Sequence, residues 1–346
     1  MRSEKGMGMK KVVCVLVCLV LSLSAREIVD MGGKKVEIPD VITKVFGTSP
    51  PATYMIYTID ASLIVGLNFN HARGNNESSN MLDPHFMALP IVGGLQGGGN
   101  SMNRETLLSL HPDVVFLWNN DASSQLAQYL FESSKIPSIN VDLESVESLP
   151  KAYLFFGEVL GREPRAKILS AYASIALEKT KEVVKNNASK RPVVYYAEGG
   201  DGLATECDQS FHYEAIKFAG GINPHQCPSK SGLGLEKVSL EQVILYNPDI
   251  IVAQEREFFE KVKSDSRWQS IKAVKDGNVF LVPKVPFNWI DRPPSFMRLL
   301  GVRWLTHILY NSPRPEQFQQ EMREFYKLFL NIDLTDAQIR QILGIV

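Results

Sequence analysis

Two cysteines and two histidines lie close together in the second half of the sequence. They are Cys207, His212, His225 and Cys227. In an oxidising compartment an isolated cysteine pair most often forms a disulfide, and a Cys207–Cys227 bond would fasten the loop and helix that open this half of the chain. Cysteine and histidine also bind zinc or nickel, but the spacing here matches no structural zinc pattern. The sequence therefore favours a disulfide and leaves a soft metal site as the alternative.

The sequence shows no arrangement that is typical of an enzyme. No nucleophile with a plausible base and no zinc-hydrolase pattern is present. The glycine-rich run 90–100 does not follow the dinucleotide fingerprint, because no long capped helix opens directly after it. The formal net charge is -1 with dispersed basic residues, which gives no reason to expect nucleic acid as a partner. We therefore predict a protein that is not an enzyme and has no catalytic cofactor.

A short pattern that occurs twice indicates how the chain is organised. The first copy covers residues 103–113 and the second covers residues 239–249. In each copy a polar residue that can cap a helix is followed two positions later by a glutamate, Glu105 or Glu241, which suits the positive end of a helix. A proline then ends the short helix, and a run of β-branched and apolar residues predicts a buried strand. Two similar α/β lobes are the simplest explanation.

The stretch 149–188 lies between the two copies and has apolar residues at helical spacing. The residues from Gly161 to Pro164 predict the end of a first helix and the start of a longer one, because proline fits the first helical turn but not the interior. We therefore expect an N-terminal α/β lobe at 26–148, a long interlobe helix at 149–188 and a C-terminal α/β lobe at 189–346. A ligand cleft would lie between the lobes.

Residues 1–25 have the features of a signal peptide. Lys10 and Lys11 precede an apolar run at 12–23 that is short for a bilayer span, and small residues follow. A retained membrane anchor, or a lipid on Cys14 or Cys18, would be the alternatives. The remaining composition, 45% hydrophobic and 22% charged in a chain of 346 residues, is ordinary for a soluble protein of two domains. We expect a soluble periplasmic monomer.

Several further motifs carry a resemblance to a known family. They are the segments 34–39 (KKVEIP), 219–223 (AGGIN), 273–279 (AVKDGNV) and 292–305, which begins RPPS and ends LGVRWL. Together with the two repeats and the interlobe helix, they resemble the helical-backbone class of periplasmic substrate-binding proteins. This is the iron–siderophore, haem and cobalamin type that feeds ABC importers. The resemblance covers nearly the whole mature chain and does not identify a ligand.

The resemblance implies a membrane partner and a ligand site. In the family the glutamate of each repeat pairs with arginines of the permease, so Glu105 and Glu241 are candidate docking residues, unless they only cap their helices. The ligand lies in the cleft, outside the carboxyl ends of the strands, as open α/β sheets also predict. The candidate cleft residues, taken from loops that follow strands, are Ser49, Tyr54, Gln96, Trp118, Asn119, Glu198, Asp201, His212, Arg256, Phe287, Trp289 and Arg292.

The side chains in this set suggest how a ligand would be held. Aromatic rings could stack on a chelate or macrocycle, although each could equally belong to the core. Arg256 and Arg292 could neutralise an anionic complex through forked donors. Arg292 could instead pair with Asp291 or with a glutamate at 255 and stabilise its lobe. We favour Trp289 and Arg292 as ligand residues, because two prolines stiffen their loop and the loop is expected to return to the cleft.

The function that these inferences favour is capture without chemistry. We expect a protein that binds a small-molecule metal complex, either iron–siderophore-like or a nickel or cobalt complex, and delivers it to an ABC importer permease. One alternative within the same fold is a carrier of a bare oxyanion such as molybdate or tungstate, for which Arg292 and backbone amides at Ser49 or Asn119 would be suitable. A secreted enzyme or adhesin built on the same lobes is the other alternative.

Overall fold

A computed structural model of the protein describes residues 25–71, 80–95, 101–118, 122–227 and 234–345, with backbone only at 122–127. The predicted signal peptide therefore lies outside the described residues, apart from its last position. The described chain opens with strands β1 (Ala25–Val29) and β2 (Lys35–Pro39), which pair antiparallel. Gly33 lies in the turn with φ +86°, a conformation that glycine adopts without steric cost.

The N-terminal lobe is built on a three-stranded parallel sheet. Its strands are β3 (Val45–Gly47), β4 (Val114–Trp118) and β5 (Ser138–Val141), in the order β3-β4-β5. Successive residues of β4 face alternate sides, and both faces are covered by apolar residues. The helices of this lobe are α1 (Pro50–Asp60), α2 (Pro84–Met87), α3 (Arg104–Ser109) and α4 (Ala122–Ser133).

Two helices follow the first lobe, α5 (Leu149–Leu160) and α6 (Glu163–Asn186). Gly161 ends α5 with φ +62° in the left-handed conformation, and a proline lies in the first turn of α6, as the sequence predicts. The two helices pack closely at Gly157, where an added Cβ would lie 2.2 Å from Ala166 Cβ. α6 also packs against a helix of the second lobe, so it contacts both halves.

The C-terminal lobe repeats the arrangement with a second parallel sheet. Its strands are β6 (Val194–Ala197), β9 (Ile250–Ala253) and β10 (Val279–Leu281) in the order β10-β9-β6, while β7 (Ala204–Thr205) pairs antiparallel with β8 (Glu236–Lys237). The helices are α7 (Glu214–Phe218), α8 (Leu240–Tyr246), α9 (Arg256–Lys261), α10 (Lys272–Lys275), α11 (Arg298–Tyr310), α12 (Pro315–Leu330) and α13 (Asp336–Leu343). The α/β fold with two similar lobes is therefore confirmed.

The duplicated pattern has the same structural role in both lobes. Asp113 accepts hydrogen bonds from the backbone N–H groups of Thr43 and Lys44 at 2.7 and 2.8 Å, just before β3. Asp249 accepts one from the N–H of Val193 at 2.9 Å, just before β6. The aspartate of each repeat thus ties the start of the central strand to the strand beside it.

One large apolar cluster connects the two lobes. It includes the inner faces of both sheets, α5, the buried side of α6, α11 and α12. Each sheet has a smaller cluster on its other face. No helix among the described residues is both long and apolar enough to cross a membrane.

Candidate functional site

The carboxyl ends of the two parallel sheets supply the residues of the candidate site. Ser49 comes shortly after β3 and Trp118 ends β4, while Glu198 and Gln254 directly follow β6 and β9. Contacts between the lobes occur at this edge: Tyr54 of α1 stacks on Phe287 with ring centroids 4.0 Å apart. This is the position where ligands bind open α/β sheets.

Ser49 lies at the start of α1 and is completely buried. Its hydroxyl group caps no helical N–H group and has no hydrogen-bond partner among the described residues. A buried hydroxyl without a partner loses its hydration without compensation. This hydroxyl lies at the positive end of an eleven-residue helix, where a negative group is stabilised.

An aromatic group fills the contact between α1 and the loop that precedes α11. Tyr54 and Phe287 are 1% and 5% exposed, and His71 lies 5.5 and 5.7 Å from their ring centroids. Burial lowers the pKa of His71 to about 4, so the imidazole is neutral at pH 7. This part of the lobe contact is therefore apolar and uncharged.

A second contact between the lobes lies beside it. Trp118 meets Phe211 edge-on at 5.8 Å, and Phe211 packs against His212 at 3.7 Å between ring centroids. The Nδ1 atom of His212 forms a hydrogen bond with the carboxylate of Asp291. His212 thus links the wall of the cleft to the loop that carries Arg292.

Arg292 is held by carboxylates from its own lobe. Its Nε atom donates to Glu198 Oε1 at 2.6 Å, and its Nη2 atom donates to Glu206 Oε1. Asp291 Oδ2 lies 3.7 Å from Nε. Arg292 has a positive φ of +57°, a conformation that non-glycine residues rarely adopt. The alternative pairing with position 255 does not occur, because Glu255 lies beside Lys284 instead.

The carboxylates around Arg292 are deeply buried, whereas the arginine side chain is 29% exposed. Burial raises the pKa of Glu198 to about 8; the charges of Glu206 and Asp291 act in the same direction and Arg292 opposes them. Glu198 Oε2 and Asp291 Oδ1 are buried without a hydrogen-bond partner among the described residues. Arg292 Nη1 makes no hydrogen bond with them either.

The structure contradicts the prediction for Trp289. Its side chain is fully buried, and its indole N–H donates to the carbonyl oxygen of Val285 at 3.1 Å. The Trp289 backbone also packs against Gly301 of α11. Trp289 therefore belongs to the core and presents no surface to a ligand, and Phe287, two positions earlier, lies at the lobe contact instead.

Arg256 is not brought to the candidate site. Its side chain is 68% exposed at the start of α9, where its nearest charged partner is Glu260 at 3.7 Å. It borders a cavity of about 390 Å³ whose lining residues all lie in the C-terminal lobe. Asp201 accepts a hydrogen bond from the N–H of Leu203 within its own turn. The predicted residues Gln96 and Asn119 lie outside the described residues.

The four residues considered for a soft metal site have other partners. A disulfide joins Cys207 to Cys227, so neither sulfur is a thiolate. His225 contacts Tyr246 at 2.7 Å and Glu236 at 2.8 Å, while His212 contacts an aspartate. These four residues therefore form no metal site in this structure.

Glu105 and Glu241 occupy matching positions in α3 and α8. Each lies in the first helical turn and is exposed, and neither forms an ion pair with a described residue. Asn103 accepts from the Thr106 N–H and Ser239 from the Gln242 N–H, and the Glu241 carboxylate also accepts hydrogen bonds from its own backbone N–H and from Ser239, which lower its pKa. Both carboxylates are therefore accessible to a partner.

Sequence reasoning missed three residues of the site. No sequence motif surrounds Glu206. Phe211 lies in a single helical turn, Phe211–Tyr213, which is too short to show a sequence period. His71 lies within the stretch 68–80, which is rich in asparagine and serine and predicts only a surface loop. The disulfide was the one available signal, because Glu206 directly precedes Cys207.

Comparisons with known proteins agree with this geometry. A family model described as periplasmic binding protein matches residues 81–286. An ABC transporter solute binding protein from Sulfurospirillum deleyianum superposes with a TM-score of 0.87 at 37% identity, covering 92% of this chain and 99% of that chain.

Two relatives have a named ligand. The molybdate-binding protein MolA of Haemophilus influenzae is 28% identical over 352 aligned positions, covering 91% of this chain and 95% of MolA. Its structure bound to molybdate has a TM-score of 0.70 at 25% identity, covering 90% of this chain and 99% of that chain. The haem uptake protein IsdE of Staphylococcus aureus is 27% identical over 159 residues, 42% of this chain and 52% of IsdE.

Proposed function

The chain belongs to the periplasmic binding protein family, and from this premise we propose that it captures a metal-containing anion in the cleft between its lobes. Binding proteins of this family deliver small-molecule ligands to ABC importer permeases. The metal is cargo in this proposal, and the protein performs no chemistry on it.

The observation that carries the proposal is the arrangement of Arg292. Two carboxylates hold Nε and Nη2 from one side, and the partly exposed guanidinium keeps Nη1 without a partner among the described residues. A guanidinium group fixed in this way loses little conformational entropy when it binds an anion. Arg292 is therefore the anion-binding group of the proposed site.

Within this class a tetrahedral oxyanion such as molybdate is the first candidate. The similarity to MolA covers 91% of this chain, whereas the similarity to the haem protein covers 42%. Tyr54, Phe287 and Trp118 are nearly fully buried against other rings, which leaves them little free face for a macrocycle. The buried hydroxyl group of Ser49 would suit an oxyanion.

An anionic metal chelate is the second candidate. It is favoured by Phe211, which is half-buried at the lobe contact and packs against His212. A flat ligand could cover this ring while its acidic groups meet Arg292. The two candidate ligands differ in how much aromatic surface of the protein each would contact.

Isothermal titration calorimetry on the mature protein tests the proposal. We expect molybdate and tungstate to bind with a Kd of about 10 μM or tighter, at least ~6.8 kcal/mol, and sulfate to bind more weakly. Ferric citrate, haem, cobalamin and nickel–histidine form the second arm. Binding in that arm alone would establish the chelate, and a Kd weaker than about 100 μM for every compound would refute the proposed class.

We assign permease docking to Glu105 and Glu241. They are exposed at matching positions of the two lobes and form no ion pair with a described residue, so each carboxylate could meet a basic partner. Exposed charges of this kind govern association rate and register more than ligand affinity. The lobes would then present the loaded cleft to the permease.

Charge reversal tests this assignment. The variant with Glu105→Lys and Glu241→Lys is expected to lower ligand uptake by permease-containing proteoliposomes at least about tenfold, because each lysine repels a basic partner. The Kd for the ligand should stay within about twofold of the wild-type value. The variant Glu178→Lys, on the exposed face of α6, is the control. Unchanged uptake by the double variant would remove docking from both residues.

Residues 1–25 are proposed as the export signal of this protein. An extracytoplasmic site of action agrees with the disulfide, because such bonds persist in oxidising compartments.

A further inference from the structure

We propose that Glu198 and Glu206 form a carboxylate clamp that positions Arg292 for the ligand, and that this clamp must hold a proton for an anion to bind. The inference rests on the proposed role of Arg292 in anion capture. It adds two positioning residues and a dependence on pH that the family assignment does not supply.

The geometry of the clamp fixes the guanidinium plane. Nε and Nη2 lie on the same edge of the guanidinium group, and each donates to a different glutamate. Glu198 comes from the end of β6 and Glu206 from the segment after β7, so two separate elements hold the arginine. The remaining donor, Nη1, lies on the opposite side of the group from Nε. The clamp therefore sets the direction in which Arg292 can meet a ligand.

Glu206 is itself held firmly. Its Oε2 atom accepts a hydrogen bond from the hydroxyl group of Ser210 at 2.7 Å, and its backbone carbonyl accepts one from Asn223 Nδ2 at 2.9 Å. The next residue, Cys207, is fixed by the disulfide. Glu206 thus has both carboxylate oxygens paired and little freedom to move, which makes it the fixed arm of the clamp.

The charge count shows why a proton is needed. Three buried carboxylates, Glu198, Glu206 and Asp291, surround one arginine. If all were ionised the group would carry a net charge of about −2, or about −1 with His212 protonated, and an incoming anion would add to it. Buried like charges of this kind are relieved most readily by protonating one carboxylate.

Glu198 is the carboxylate that takes the proton. Its Oε2 atom is buried without a partner among the described residues, and an unpaired oxygen costs less on a neutral carboxyl group than on a carboxylate. Burial also raises the pKa of this group to about 8. The charged and titratable groups around it are Arg292, Glu206 and Asp291, with His212 beyond Asp291, Tyr195 and Tyr196 on its own strand and Asp201 on its own loop.

The sign of the pH effect follows from this placement. Below pH 8 Glu198 is mostly neutral, so the group around Arg292 carries one negative charge fewer when the ligand arrives. Above pH 8 Glu198 ionises, competes for Arg292 and repels the anion. Affinity for an anion should therefore fall as the pH rises through about 8, by up to about tenfold per pH unit when one proton is linked.

Calorimetric titration with molybdate, which stays a dianion from pH 6 to pH 9, tests the proton. We expect the wild-type Kd to be nearly constant near pH 6–7 and to rise about tenfold between pH 7 and pH 9. Glu198→Gln, a neutral isostere, should remove this rise, so that its Kd at pH 9 stays within about twofold of its own Kd at pH 6. Glu178→Gln on α6 is the matched control and should follow the wild type. A flat wild-type profile, or a Glu198→Gln profile that follows the wild type, would overturn the proton linkage.

Glu206→Asp tests the positioning role, because it keeps the charge and shortens the reach. The Kd is expected to rise about tenfold or more with the pH dependence retained. An unchanged Kd would show that Glu206 does not position the arginine.

Failure of the proposed ligand class is distinguishable from failure of the clamp. If molybdate binds at no pH, the proposed function fails, and thermal unfolding without ligand then decides the clamp. A folded-state pKa above the unfolded value means that stability is lost as the pH rises towards about 8. The wild-type Tm should therefore fall relative to that of Glu198→Gln between pH 6 and pH 8. Parallel Tm profiles would overturn the clamp proton independently of any ligand.

Discussion

Replacing Arg292 by lysine is expected to weaken binding of the captured anion by about 10-fold to 100-fold. The variant keeps a positive charge, so the buried carboxylates stay partly neutralised. It loses the planar fork that joins Glu198 and Glu206 to the ligand, and a hydrogen bond to a charged group contributes about 1.5–3 kcal/mol. Lysine, a flexible point charge, would turn towards the buried carboxylates and leave the cleft.

Calorimetry with molybdate at pH 7, together with the Tm of each protein, separates this loss from unfolding. Arg267→Lys is the matched control, because Arg267 also pairs through Nε and Nη2, with Asp265, but its side chain is 65% exposed on the surface. We expect wild-type affinity from that variant. If Arg292→Lys bound molybdate as tightly as the wild type, Arg292 would not be the anion-binding group.

Gly301→Ala is expected to destabilise the protein by about 3 kcal/mol. An added Cβ at this position in α11 would lie 1.9 Å from the carbonyl oxygen of Trp289 and 2.9 Å from its carbonyl carbon. A backbone atom cannot rotate away, so either α11 or the loop before it must move, at an overpacking cost of several kcal/mol. The gain in helix propensity from glycine to alanine is only about 1 kcal/mol. The overpacking term therefore dominates.

Urea unfolding followed by circular dichroism measures this loss as a change in midpoint. The same loop carries Arg292, so a shifted loop should also weaken the ligand. Gly157→Ala offers a comparison, since the added Cβ there would clash with the methyl group of Ala166, while the nearest backbone atoms, of Glu163 and Arg162, lie at 3.4 and 3.5 Å. A stability for Gly301→Ala within 0.5 kcal/mol of the wild type would contradict the close approach.

The parts of this fold that the sequence predicts are those with a repeated or periodic pattern. The two copies around Glu105 and Glu241 indicate the duplication, and Gly161 with the following proline marks the break between α5 and α6. These features depend on neighbouring residues, so local rules suffice. The domain limits drawn from them stay predictions, as do the individual ligand contacts.

The candidate site was only partly predictable because it is assembled from loops. In the loop before α11 no period tells which aromatic ring faces inward, so Trp289 was wrongly placed at the cleft. Arg256 and Arg292 look alike in sequence, yet only Arg292 meets buried carboxylates. Glu206 gave no signal, since its role depends on a partner 86 positions away.

The helices that carry Glu105 and Glu241 differ in the exposed side chain four residues after each glutamate. Leu245 in α8 is 77% exposed, one turn after Glu241, and the matching position in α3 is Ser109, whose hydroxyl group returns to its own helix at the Thr106 carbonyl. A partner made of two identical subunits would therefore meet an apolar side chain beside Glu241 and a polar one beside Glu105. Because the two lobes present different surfaces, the two orientations of the loaded protein on a symmetric partner need not be equivalent.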